Sequence, residues 1–216
     1  MPTLARFLYL ITALVAWVAL AVQFWLLART ITAEGASLGF ALWRFLGFFT
    51  ILTNSAIAIA STILCIAPRS TLLTARSKLS LATAIALVGI VYSIALRSIW
   101  NPQGLQAVVD HALHDATPVL FVAAWLADRH GTPRWIDSFW TVAFPAAYCA
   151  YAMTRGAFDG WYAYYFLDPS KLPGGQFVLN IAGLLAVVIA IALVLVALKR
   201  LAGSWRRGQP PDGQIR

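Results

Sequence analysis

The sequence predicts an all-α membrane protein, a bundle of six transmembrane helices with both termini in the cytoplasm. Of its 216 residues, 61% are hydrophobic and 11% are charged, and the mean hydropathy is +0.76. A soluble domain carries roughly 25% charged residues, and a chain of this length is too short to bury so much apolar surface in water. Six apolar stretches come close to the roughly 20 residues that a helix needs to cross a bilayer.

The six predicted spans form one transmembrane domain over residues 1–200. A short basic tail over 201–216 is predicted to be disordered because it is rich in Gly, Pro and Gln. The first stretch also has a feature of signal peptides, since Ala19-Leu20-Ala21 resembles a cleavage site, but its apolar run continues through Trp25 and is too long for a signal core. The spans are about 4–28, 38–67, 79–99, 105–126, 135–153 and 177–198.

The distribution of Lys and Arg predicts the orientation. Eleven of these 16 residues lie on the side of the two termini, and five lie on the opposite side. Basic residues collect in cytoplasmic connections and near anionic lipid, so both termini are expected inside the cell. The net charge of +8 is explained in the same way, by contact with membrane lipids, and no nucleic acid partner is expected.

Polar side chains inside the predicted spans are the candidates for function, because they are costly in hydrocarbon. A rise of about 1.5 Å per residue places Thr50 ~18 Å and His114 ~14 Å below the outer ends of their spans, so the two are expected at a common level. The polar positions are Thr50, Thr53 and Asn54 in the second span, Asp110, His111, His114 and Asp115 in the fourth, and Arg97 and Arg155 at the ends of the third and fifth.

Three of these residues suggest nucleophilic chemistry. Asp110 and His114 are four residues apart, so they share one face of a helix. A carboxylate beside a histidine fixes its tautomer and raises its basicity, and a threonine hydroxyl becomes a nucleophile once a base removes its proton. Thr50, His114 and Asp110 are therefore predicted as nucleophile, base and orienting residue. In the structural alternative, Thr50 bonds to a carbonyl of its own helix and Asp110 pairs with Arg97.

A metal site is the competing interpretation of the same segment. Asp110, His111, His114 and Asp115 are four nitrogen and oxygen donors within six residues, and two histidines three apart can reach one ion. No third histidine or cysteine is predicted at a matching depth, so no metal or cofactor is expected.

At these positions the chain resembles the androgen-induced or FAR-type family of six-span membrane proteins, and in particular its bacterial branch. The resemblance covers almost the whole chain. The motifs that carry it are FFTILTN at 48–54, the segment from Tyr92 to Asn101-Pro102, the segment from His114 to Pro118 with Leu120 and Trp125, Arg155-Gly156, and GWYAYYFLD at 160–168.

The resemblance implies a hydrolase of fatty acid esters of hydroxy fatty acids in the bacterial inner membrane. Animal members of the family use an intramembrane threonine and histidine, which correspond to Thr50 and His114. The spacing from His114 to Pro118 is one residue shorter than in the animal members, so His111 is kept as a reserve base. Asp110 is assigned from helix spacing alone. The candidates for binding the substrate or its oxyanion are Asn54, Arg97, Arg155 and Asn180.

Two other functions fit the same sequence. A lipid-binding or transport protein would present an equally apolar interior without chemistry at Thr50. A metal or haem protein would use the donors of the fourth span.

Overall fold

A computed structural model describes residues 1–68 and 70–207, and the regular secondary structure of these residues is helical. The predicted all-α fold is confirmed. The helices are α1 Thr3–Ala33, α2 Leu38–Phe45, α3 Phe49–Ile66, α4 Ala75–Val91 with a π-helical end at Tyr92–Leu96, α5 Leu105–His111, a π-helical segment Ala112–Ala116, α6 Thr117–Ala127, α7 Asp137–Trp140, α8 Ala143–Asp159, the 3-10 turn Tyr165–Leu167 and α9 Gln176–Arg207.

Within the described part of the chain, four helical segments are long and apolar enough to cross a membrane, as is typical of a membrane protein. They are Thr3–Ala33, Phe49–Ile66, Ala75–Leu96 and Gln176–Ser204, and they overlap the first, second, third and sixth predicted spans. The fourth predicted span is helical, but its aspartates and histidines lower its hydropathy. The fifth contains most of α8, a helix of 17 residues that continues to Asp159. The total of six spans therefore stays a prediction.

The core is built on the small residues of α1. This helix packs against α3 and α6, and its Ala5 and Ala16 are fully buried; small side chains let membrane helices approach closely. Around this contact lie the buried rings of Tyr9, Phe121 and Trp125, with Tyr9 and Phe121 edge to face at 5.8 Å. The bundle thus holds α3 and α6 in fixed positions relative to each other.

The prediction of one continuous helix over 38–67 is wrong, because the chain breaks between α2 and α3. The backbone leaves the helical conformation at Phe48, with φ −91° and ψ 131°. The preceding Gly47 lets Trp161 pack against the break, since a Cβ there would lie 2.6 Å from Cζ3 of Trp161 and 3.0 Å from the Arg44 carbonyl. Apolar character alone gave no sign of this interruption. Thr50 is consequently the second residue of α3, and its predicted depth below the start of a longer helix does not apply.

The opposite end of the bundle is fixed by charged groups. Lys78 Nζ lies 2.8 Å from the Asp128 carboxylate, and both side chains are buried. Lys199 on α9 donates to the carbonyl groups of Trp125 and Asp128 at the end of α6. The tail was predicted to be disordered from residue 201, but α9 continues through Arg207; residues 208–216 lie outside the described part of the chain.

Candidate functional site

The break before α3 presents Thr50 at a helix end, and α8 holds the break in place. A broken helix leaves carbonyl groups without intrahelical partners. Side chains of α8 donate to three of them: Arg155 Nη2 to Trp43 O at 2.6 Å, Tyr151 to Leu46 O at 3.2 Å and Tyr148 to Gly47 O at 2.9 Å.

The Thr50 hydroxyl has two polar neighbours. Its Oγ1 lies 3.4 Å from Nε2 of His114 and 3.4 Å from the hydroxyl of Tyr164. The side chain is buried, and the backbone N–H of Thr50 also donates to the Tyr164 hydroxyl at 3.3 Å. Helix α3 and the helical segment before α6 thus bring together the Thr50 hydroxyl and the His114 imidazole, although these residues are 64 positions apart in the sequence.

His114 is oriented through its other ring nitrogen. Nδ1 lies 3.0 Å from the backbone carbonyl oxygen of Asp110 and 3.3 Å from its carboxylate Oδ1. The Tyr92 hydroxyl donates to the other carboxylate oxygen, Oδ2, and the Tyr92 ring stacks on the imidazole. With Nδ1 donating to Asp110, Nε2 is left as the acceptor that faces Thr50.

Two π-helical segments meet at this site. His114 lies in Ala112–Ala116, four residues before Pro118, which has no N–H to donate to the His114 carbonyl. Tyr92 begins the other segment, where Arg97 N–H bonds to Tyr92 O across five residues. The two helices pack closely at Gly89, where a Cβ would lie 3.1 Å from the His114 carbonyl oxygen. Such wider turns are frequent at functional sites.

An apolar pocket opens beside Thr50. It encloses ≈ 460 Å³ of space not filled by protein atoms, part of it open to the outside. Thr50, Tyr92 and Tyr164 border it, so the polar network lies at one wall of an otherwise apolar pocket. The remaining lining residues are Phe49, Leu87, Val88, Val91, Leu96, Pro145, Tyr148, Phe166, Leu167 and Leu184.

The four predicted oxyanion candidates make other contacts. Asn54 donates to the carbonyl groups of Thr50 and Leu113 at 2.9 and 3.3 Å, and Arg155 supports the α2–α3 break. Arg97 pairs with Asp115 rather than with Asp110, and Asn180 donates to Phe166 O at 3.0 Å.

The reserve base His111 is exposed and lies 2.7 Å from Asp115, not beside Thr50. Among the described residues, no three His, Cys, Asp or Glu side chains form a group that could hold a metal ion. The nitrogen and oxygen donors of this segment are instead divided between two clusters, Asp110 with His114 and Asp115 with His111.

Sequence reasoning missed two site residues, Tyr92 and Tyr164. Both were noted only as parts of the motifs that carry the family resemblance. The Tyr164 ring is partly buried and contacts the rings of Phe48 and Phe166. The sequence contained one indication that these tyrosines are important, since each lies within a motif that carries the family resemblance.

Comparisons of the chain with protein-family models, with curated proteins and with solved structures find no match. The resemblance to the androgen-induced or FAR-type family therefore depends on the sequence motifs alone.

Proposed function

We propose that this chain is a membrane hydrolase that cleaves lipid esters, with Thr50 as nucleophile, His114 as base and Asp110 as the residue that orients the base. The observation that carries the proposal is the alignment of Thr50 Oγ1, His114 Nε2 and the Asp110 carboxylate beside an apolar pocket. A nucleophile within reach of a base that a third group orients is the common pattern of covalent catalysis.

The geometry supports a two-step reaction. Thr50 Oγ1 attacks the ester carbonyl carbon while its proton passes to Nε2 of His114. The bond to the leaving alcohol breaks, and His114 returns the proton to the alkoxide. Water then attacks the acyl-threonine and gives a proton to His114. The bond to Thr50 breaks, Thr50 regains its proton and the fatty acid leaves.

The apolar pocket supports a lipid substrate. Its lining would hold an acyl chain by burial of apolar surface, with the ester group at the wall formed by Thr50. The family resemblance suggests fatty acid esters of hydroxy fatty acids as the substrate class, and we propose these as the first substrates to test.

We further propose six spans with both termini in the cytoplasm, in a bacterial inner membrane. The bias of Lys and Arg toward the side of the termini supports this orientation. In this arrangement the fourth span, 105–126, carries Asp110 and His114 toward α3 and the end of α4, while His111 and Asp115 are more exposed. The fifth span, 135–153, contains most of α8.

The alternative is a protein that binds or transports lipid without chemistry. The apolar pocket would serve it equally well, but the orientation of His114 toward Thr50 would have no role. Replacement of Thr50 by Val, which has the same shape and no hydroxyl, separates the two functions.

The test uses the full chain purified in detergent. Wild type, Thr50→Val and His114→Ala are each incubated with a fatty acid ester of a hydroxy fatty acid and, separately, with a fluorophosphonate probe. Thr53→Val is the matched control, since Thr53 is fully buried one turn along α3 and its hydroxyl oxygen has no hydrogen-bond partner. We expect hydrolysis and labelling in wild type and Thr53→Val and loss of both in the other two variants. Equal labelling of all four proteins without turnover would contradict the hydrolase.

A further inference from the structure

The Tyr164 hydroxyl reaches Thr50 from a loop that is distant in sequence. It lies 3.4 Å from Thr50 Oγ1, the atom that attacks in the proposed reaction. The tyrosine ring stacks on Phe166, with the ring centroids 5.3 Å apart and the planes 17° apart, and Asn180 on α9 holds the Phe166 carbonyl. The phenol is thus fixed by packing on one side and by α3 on the other.

The direction of the hydrogen bonds leaves the phenolic proton available. The Thr50 N–H donates to the Tyr164 oxygen at 3.3 Å, so that oxygen acts as an acceptor toward α3. The phenol has one proton of its own to donate. Because the Thr50 hydroxyl can donate to His114 Nε2, the Tyr164 proton can point toward Thr50 Oγ1 and toward a group that bonds to it.

The position also favours a strong donor. Thr50 lies in the first turn of α3, where free N–H groups carry the positive end of the helix dipole. A hydroxyl that accepts from such a group becomes a better donor, since successive hydrogen bonds polarise one another. Burial raises the pKa of Tyr164, although its hydrogen bonds with Thr50 oppose this shift, so the phenol keeps its proton at neutral pH.

Other donors in this region contact groups other than the Thr50 hydroxyl. The Asn54 amide nitrogen donates to two carbonyl groups. The terminal nitrogens of Arg155 donate to Trp43 and to Tyr151, and its buried Nε has no hydrogen-bond partner and does not bond to Thr50 Oγ1. Arg97 pairs with Asp115 at the exposed end of the site. Among the described residues, the side chains within hydrogen-bond distance of Thr50 Oγ1 are His114 and Tyr164.

We infer that Tyr164 is a further catalytic residue, whose hydroxyl donates a hydrogen bond to the oxyanion formed when Thr50 attacks an ester. The inference depends on the proposed hydrolase function. When Thr50 Oγ1 bonds to the carbonyl carbon, the carbonyl oxygen is one bond further away and becomes negatively charged. A donor that already lies beside the attacking atom stabilises this charge without a large movement.

The test compares Tyr164→Phe with wild type and with Tyr165→Phe. Tyr165 is the neighbouring residue, has an exposed side chain and serves as the matched control. We expect Tyr164→Phe to lower kcat about 100- to 1000-fold, the usual effect of removing one oxyanion donor. KM should change less than about threefold, because the ground-state ester gains little from the donor. Tyr165→Phe should retain wild-type kcat.

A second variant keeps the hydroxyl and changes only its acidity. With 3-fluorotyrosine at position 164 the donor is more acidic, and kcat should rise by roughly twofold; the same replacement at position 165 should have no effect. A merely structural tyrosine would give no such response, so an unchanged kcat would overturn the inference.

The outcomes also separate this inference from the proposed function. If Thr50→Val abolishes hydrolysis while Tyr164→Phe keeps kcat within threefold of wild type, Tyr164 is not the donor and the hydrolase stands. If wild type shows no hydrolysis that depends on Thr50, the proposed function itself fails, and the assignment of Tyr164 fails with it.

Discussion

The imidazole of His114 lies flat against the ring of Tyr92, with the ring centroids 4.0 Å apart and the planes 16° apart. The same two side chains share one carboxylate, since the Tyr92 hydroxyl and His114 Nδ1 both contact Asp110. Asp110 is buried, and its two oxygen atoms thus fix two neighbouring rings. A substitution of Asp110 is therefore expected to disturb the orientation of His114 more than any other property of the site.

Asp110→Asn should lower kcat for ester hydrolysis by roughly 100- to 10,000-fold. An amide can donate to Nδ1 and so favour the tautomer in which Nε2 carries the proton, which cannot accept one from Thr50. Steady-state kinetics in detergent measure the effect. Asp115→Asn is the control, because Asp115 pairs with Arg97 and His111 at the more exposed end of the segment; similar losses in both variants would argue against a specific role for Asp110.

Leu184→Trp should discriminate between substrates by chain length. Leu184 lines the apolar pocket, so a larger side chain there takes the space of an acyl chain. We expect kcat/KM for a long-chain ester to fall about tenfold or more, while a short acetyl ester keeps near wild-type turnover. In the control Leu179→Trp, on the same helix with an exposed side chain, both esters should behave as in wild type. Equal turnover of long and short esters by Leu184→Trp would place the acyl chain elsewhere.

Gly47→Ala should destabilise the break that presents Thr50. The added Cβ would lie 2.6 Å from the Trp161 ring and 3.1 Å from Nη1 of Arg155, and overpacking of this kind costs about 1–3 kcal/mol. Thermal unfolding in detergent should show a lower Tm. At Gly183 in α9 a Cβ has no neighbour within 4 Å, so Gly183→Ala should be neutral or slightly stabilising. A wild-type Tm for Gly47→Ala would mean that the break adjusts without strain.

Lys78→Met should cost about 3 kcal/mol, because it leaves the buried Asp128 carboxylate without its ammonium partner. Arg76→Met should cost less than about 1 kcal/mol, since the Arg76 side chain in its pair with Asp137 is half exposed. Denaturation of both variants in the same detergent compares the two pairs. Equal losses of unfolding free energy in the two variants would show that the buried ion pair is no more stabilising than the half-exposed one.

The same pair predicts how stability depends on pH. Burial opposes ionisation of Asp128, but hydrogen bonds from Lys78 and His130 outweigh it and hold the pKa of this carboxyl below its ordinary value. A lowered pKa in the folded state stabilises the protein above the unfolded value of about 3.9. This contribution is lost as the pH falls from about 5 through the folded pKa. We expect the Tm of wild type to fall over that range more steeply than the Tm of Lys78→Met; parallel curves would refute the linkage.

The sequence was sufficient for the helical membrane class and for the expectation that Thr50, His114 and Asp110 lie close together; their catalytic roles stay predictions. The apolar composition indicates that the chain lies in lipid, and polar residues within apolar helices are easily identified in the sequence. Spacing also brought Asp110 and His114 together, since four residues span about one turn even across the π-helical segment. These features depend on local pattern, which a single sequence displays.

The remaining features depend on contacts that local pattern does not display. Gly47 is tolerated within many membrane helices, so the apolar run over 38–67 gave no reason to divide it. The partners of the divided helix lie on α8, about 100 positions away. Tyr164 meets Thr50 across 114 positions, and an aromatic residue in a loop is as consistent with a membrane surface as with a buried site.

The π-helical segment that carries His114 has a consequence for changes in chain length. Its turn contains one residue more than an α-helical turn, so a deletion of a single residue within Ala112–Ala116 would let the helix close into ordinary periodicity. The flanking helices would then keep their register, but the additional residue that directs the imidazole toward α3 would be absent. Natural variants that are shorter by one residue at this place should therefore fold as this chain does and carry a different arrangement of polar groups.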